Sequence, residues 1–249
     1  MDVGIFGNSY IGFESTFSYA NFNIAHNLIS ENSPYYFTGV KATFIPTEHW
    51  TIAVLLTNGW QRIQMVEGST IPSVATKVTY TASNFTINWS SFTGTDDPDA
   101  TRRMRYFNDF YGLIIINDNW SVNVGFDVGL QQVSKGSNEL NSWFGTAAIA
   151  QYTLSDKWQF AGRFEYFSDP NGAIVQSIDN QYAYKTGGYS VNADYYILNN
   201  LKWRLEARLF NSGNPIYPKE SGNVKNNFFL LTALTFDFHS KPLNQKQAD

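Results

Sequence analysis

From Ile116 to Gln131 the chain reads INDNWSVNVGFDVGLQ, and after the turn residues Asn117, Asp118 and Asn119 every second position is large and apolar. Trp120, Val122, Val124, Phe126, Val128 and Leu130 form one series; Ser121, Asn123, Gly125, Asp127, Gly129 and Gln131 form the other. A strand sends successive side chains to opposite faces, so a period of two specifies a β-strand with one oily and one wet face. The same unit recurs near residues 2–8, 34–46, 49–60, 73–82, 84–93, 103–117, 120–132, 142–154, 157–168, 185–198, 201–212 and 226–238. That pattern predicts about twelve strands.

The connectors alternate in length. Thr47-Glu48, the turn at Ser83, Asp118-Asn119, Ser155-Asp156 and Asn199-Asn200 are short and built from turn formers. Those over about 9–33, 61–72, 94–102, 133–141, 169–184 and 213–225 are long. Tight turns at one end and long loops at the other predict an all-β, antiparallel up-and-down transmembrane barrel, with periplasmic turns and extracellular loops. We expect one barrel domain over residues 1–238 and a polar tail over 239–249. No apolar run is long enough for a spanning helix, but a spanning strand needs only about 9–11 residues.

The in/out sense is what separates a membrane barrel from a soluble barrel or sandwich, because alternation is the same in both. Trp50, Trp120, Trp158 and Trp203 each follow a short turn, as one level of an aromatic girdle would. Trp60 and Trp143 lie near loop-side ends and are expected in the opposite girdle. Aromatic residues make up 17% of the chain and charged ones only 15%, against about 25% charged in soluble domains. In KWRLEARLF, Lys202, Arg204, Glu206 and Arg208 share a face; in KWQFAGRFEYF, Arg163 and Glu165 do. Together with Lys41, Lys77, Asp127, Asp194 and Asp237 they are candidate lumen residues, since isolated charge is costly in a dry core. We expect a mixed-charge ladder on strands nine to eleven, with Arg163, Arg204 and Arg208 in excess over Glu165 and Glu206 and biasing ion selectivity.

Other chemistry is sparse. There is no cysteine, and His26, His49 and His239 fall in a loop, a turn and the tail, with no metal-ligand spacing. No metal or cofactor is expected. Ser30 and Glu31 near His26 keep an outer-membrane hydrolase as a remote alternative, and Asp96, Asp97 and Asp99 in TDDPD form a weak calcium candidate. A net charge of −4 argues against nucleic acid as a partner.

Several segments resemble the OmpL-like β-barrel porins of the bacterial outer membrane: GNSYIGFES (Gly7–Ser15), SPYYFTGVK (Ser33–Lys41), TNGWQ (Thr57–Gln61), RYFNDFYG (Arg105–Gly112), GLQ (Gly129–Gln131) and AGRFEYFSDPNG (Ala161–Gly172). Their order suggests the carboxy-terminal majority of such a protein. The resemblance implies no catalytic motif and a passive channel for small hydrophilic solutes or ions. The alternative from another class is a non-conducting barrel that docks envelope proteins. Membrane lipid and further copies in a homo-oligomer are the other expected partners.

Overall fold

The computed structural model describes residues 1–7, 19–176 and 182–238. The tail 239–249 with His239, and most of the GNSYIGFES segment, lie outside the described residues. Twelve strands follow one another in a single meander: β1 (Asp2–Gly7), β2 (Tyr36–Thr47), β3 (Trp50–Thr57), β4 (Ser73–Thr81), β5 (Phe85–Gly94), β6 (Arg105–Ile115), β7 (Trp120–Gln132), β8 (Leu140–Ser155), β9 (Trp158–Asp169), β10 (Tyr184–Leu198), β11 (Leu201–Asn211) and β12 (Asn226–Phe236). Each pairs antiparallel with its sequence neighbour, as short antiparallel connections favour. The one helix among the described residues is the single turn α1 (Leu28–Glu31), capped by Asn27, whose side chain accepts from the Ser30 N–H at 2.9 Å.

Register fixes the faces. Asp109 pairs with Asp127, Asp127 with Gly145, and Asp194 with both Arg204 and Gln159, so the polar series stays on one face from strand to strand. On β7, Val124 and Phe126 are exposed, whereas Asn123 and Asp127 are buried. The sheet curls around this inner face: the Asn21 and Phe22 carbonyls accept from Arg204 of β11, and the same two residues line a cavity with Tyr111 of β6 and Asn123 of β7. Among the described residues the two edge strands, β1 and β12, are not paired with each other.

The outer face carries an aromatic row at the turn end. Trp50 packs edge-on to Tyr80 (4.9 Å between centroids), and Trp120 and Trp158 pack tilted against Tyr152 (4.7 Å) and Tyr195 (4.8 Å). Tyr195 is also the register partner of Trp203, whose indole donates to Thr232 at 2.8 Å. Cross-strand contact builds the row, so the tyrosines complete what the tryptophans begin.

Trp60 and Trp143 depart from the expectation of a loop-side girdle. Trp143 is 1% exposed, on the inner face. Its register partner is Gly129, and a Cβ at Gly129 would occupy the space of the Trp143 ring. Trp60 follows Gly59, whose φ of 140° is open to glycine, and the chain there turns inward.

Candidate functional site

The first long connector was expected to lie wholly outside; its described part lies inside. Tyr19 donates to the Asn199 carbonyl at 2.8 Å, in the β10–β11 turn. The Tyr35 N–H donates to Gln61 at 2.8 Å, beyond the loop end of β3. Residues 19–35 therefore run the height of the sheet along its inner face.

The ladder on β9, β10 and β11 holds this segment. Arg204 donates to the Asn21 and Phe22 carbonyls (2.8 and 3.1 Å), and Arg163 to the Ala25 carbonyl (2.7 Å). Glu206 accepts from the Ala25 N–H and Glu165 from the Leu28 N–H, each at 2.7 Å. The same charges pair with one another. Arg163 meets Glu206 at 2.9 Å and Glu165 at 3.3 Å; Arg208 meets Glu165 at 2.7 Å; Arg204 and Lys202 each meet Asp194 at 2.8 Å. On β10 the register partner of Glu165 is Gly188, where a Cβ would crowd the Glu165 carboxylate. Side chains of Arg163, Glu165, Glu206 and Arg204 are fully out of water. Charge so deeply buried is tolerable only when paired and hydrogen-bonded. Strand alternation puts these residues on one face, and the inserted backbone supplies partners that the sequence pattern could not reveal.

The remaining candidates also lie on the inner face. Lys41 pairs with Asp2 at 3.2 Å and lies over the Phe6 ring. Asp109 accepts from Asn88 at 3.2 Å and neighbours Asp127, which is 2% exposed. Lys77 is half-buried, with Ser90 as its register partner. Asp237, at the edge of the described residues, donates its N–H to Asn200 at 2.8 Å.

Toward the loop end the interior is aromatic. Phe37 stacks on Phe92 (5.9 Å), Trp60 meets Phe92 and Phe107 edge-on (5.1 and 4.9 Å), and Phe107 stacks on Trp143 (6.3 Å). Ile29 of α1 joins this core, fitting where Gly145 has no side chain. Arg105 lies over the Trp60 ring at 5.1 Å and donates to Asp96 at 3.3 Å and Gln131 at 3.1 Å. The positions on the inner face were legible, but the packing of aromatics there was not.

The loop-end ionisable groups are matched internally. Arg103 binds Asp97 through two nitrogens (2.8 and 3.1 Å) and holds its carboxyl below the ordinary range. Burial pushes the Asp96 carboxyl up, against the Trp60 N–H and Arg105. Asp99 accepts from Thr70 at 2.6 Å and Arg102 at 3.3 Å. The acidic run thus faces arginines, a poor setting for calcium. His26 pairs with Glu31 at 3.2 Å, and Glu31 accepts from the Tyr35 hydroxyl at 2.6 Å. Chiefly through the His26 hydrogen bond, the Glu31 carboxyl lies below its ordinary value.

The sequence profile of the family described as beta-barrel porin-2, OmpL-like, matches residues 1–238. No curated protein matches the chain by sequence. Among solved structures, the outer membrane channel DcaP of Acinetobacter baumannii is similar with a TM-score of 0.66 at 10% identity, over 95% of this chain and 71% of that one. OmpT of Vibrio cholerae, expressed in the outer membrane, gives a TM-score of 0.59 at 9% identity, over 94% of this chain and 76% of that one. At such identities the likeness is one of fold, that of an outer-membrane barrel.

Proposed function

The chain belongs to the beta-barrel porin-2, OmpL-like family of the bacterial outer membrane, and from that premise we propose that it is a porin-like channel for small hydrophilic solutes or ions. The observation that carries this reading is the separation of faces: Val124, Phe126, Phe160, Phe164 and Leu209 point outward, while the charged and amide side chains point inward. An apolar band outside and a polar wall inside are what a water-bearing barrel requires. Its task is passage, with no group assigned to bond-making. The path runs beside the inserted segment, along the inner wall of β5 to β7, because the opposite wall is occupied by residues 19–35. In this reading Lys41, Lys77 and Asp127 line or flank the path, and the Arg163–Arg208 ladder anchors the inserted segment beside it. Trp50, Trp120, Trp158 and Trp203 settle at one lipid interface.

A homo-oligomer is supported by a solved OmpT described as a trimer form. A second reading, a barrel closed to solutes and serving envelope partners, is favoured by the buried aromatic layer of Phe37, Phe92, Phe107 and Trp143. Planar-bilayer recording of the refolded chain separates the two. Discrete conductance steps support the channel; a silent bilayer with correctly folded protein overturns it.

A further inference from the structure

On the outer wall a groove of about 620 Å3 crosses β5, β6 and β7. At its centre is Gly112 of β6, which faces outward with no side chain between its register partners, Ile87 on β5 and Val124 on β7. Taller side chains stand around the gap. Phe110 and its register partners Trp89 and Phe126 bound it toward mid-strand, and Ile114, Tyr80 and Trp50 line its turn end. From Phe110 to Ile114 is a rise of roughly 13 Å along the strand, close to one leaflet of a hydrocarbon core about 30 Å thick. The groove therefore opens at the aromatic row of the lipid interface and reaches toward the middle of the membrane.

Its polar atoms decide what can fill it. The Trp89 indole N–H donates to Asn108 at 3.0 Å, and the Thr146 hydroxyl to the Gly125 carbonyl at 2.9 Å, so these lining side chains already have partners. A hydrophilic solute would lose water there and gain no bond. Hydrocarbon loses nothing. Lipid tails surround the outer wall whether or not the groove is filled, so the hydrophobic effect does not favour a seated chain over a bulk one; fit does, through dispersion contacts with the rings on either side. The volume is about twenty times a water's share of the liquid, room for one fatty chain. It is too narrow for a helix, which measures about 10–12 Å across with its side chains. We propose that this groove is a binding site for one acyl chain of a phospholipid in the leaflet at the turn end, with the headgroup at the level of Trp50 and Tyr80. The site rests on the outward face meeting lipid and is independent of conduction.

The test counts the phospholipid that stays with the full chain. The protein is refolded into vesicles of palmitoyl-oleoyl-phosphatidylcholine, transferred to mild detergent and weighed by native mass spectrometry; one retained phospholipid per chain is expected. Gly112→Leu, which puts a branched side chain into the groove, should lower the retained fraction by about fivefold, the factor that loss of about ten dispersion contacts carries. A Cβ at Gly112 would meet its nearest atom at 3.7 Å, an ordinary contact, so Gly112→Ala should fold and give a smaller loss. Gly162→Leu is the matched control. Gly162 also faces outward, on β9, with open space around it and the smaller Ala150 and Val191 as register partners, so its variant should retain phospholipid as the wild type does. Heat-modifiable gel migration verifies that each variant is folded. Absence of retained phospholipid in the wild type, undiminished retention in folded Gly112→Leu, or an equal loss in Gly162→Leu overturns the site. If Gly112→Leu instead dissociates an oligomer and leaves the phospholipid count per chain unchanged, the occupant is a second copy and the proposal fails.

Discussion

The inner faces of β9 to β11 and of β2 to β8 near the loop end are both shut off from water, yet opposite chemistry fills them. On β9 to β11, Arg163, Glu165, Arg204 and Glu206 clasp the backbone of residues 21–28 through directional bonds of 2.7–3.1 Å. Near the loop end, Phe37 stacks on Phe92 and Phe107 on Trp143, and Trp60 joins the two pairs edge-on. An apolar stack tolerates reshaping if its volume is kept, whereas a clasp fails when one charge is left without a partner.

The largest expected effect breaks the clasp. Glu165→Gln removes the charge shared by Arg163 and Arg208, and should destabilise the fold by about 3–5 kcal/mol, as loss of one partner from a buried pair does. Urea unfolding in micelles measures it, and a loss below 1 kcal/mol would show that water already screens the ladder. If the chain conducts, Arg163→Gln combined with Arg204→Gln should raise single-channel conductance by loosening residues 21–25. A changed reversal potential at constant conductance would instead make the arginines a selectivity filter.

A somewhat smaller effect checks that both regions share one inner face. Val124→Arg, outward on β7, should cost about 2–4 kcal/mol on insertion. Gln151→Arg, inward on β8, should refold into lipid vesicles nearly as well as wild type. Equal yields would contradict the assigned faces.

Smaller again is Phe107→Leu in the aromatic stack, expected to cost about 1.5 kcal/mol because the site stays apolar. A loss as large as that of Glu165→Gln would erase the contrast between the regions.

The smallest effect lies outside both. Asp97 has its carboxyl lowered by Arg103, so the pair stabilises the fold above the ordinary carboxylate range and ceases to as the pH falls through the lowered value. With Arg103 partly exposed, Asp97→Asn should cost about 0.5 kcal/mol at neutral pH. Thermal midpoints of the two proteins should converge in acid; a gap that persists there would assign the role of Asp97 to packing.

Twelve strands, their order and the face of each charged candidate were legible because alternation is a local property of the backbone. The outward placement of Trp50, Trp120 and Trp203 was legible for the same reason, with a turn just before each to set the level. Trp143 was misplaced because it and Phe144 are both large and apolar, and the deciding fact, Gly129 opposite, belongs to another strand. The 19–35 segment carries no period, so nothing local marked it as an interior element. Its anchors lie far off in sequence: Arg204 reaches back across 183 residues to Asn21.

By itself the sequence determined that the chain must be a meander of two-faced strands with charge on one face and rings on the other, since a period of two admits no other regular structure. Only the tertiary structure decided what those inner charges do. A buried guanidinium must find its partners wherever the fold brings them, and curling the sheet around residues 19–35 made that segment's backbone, together with the neighbouring carboxylates, the partner of the ladder.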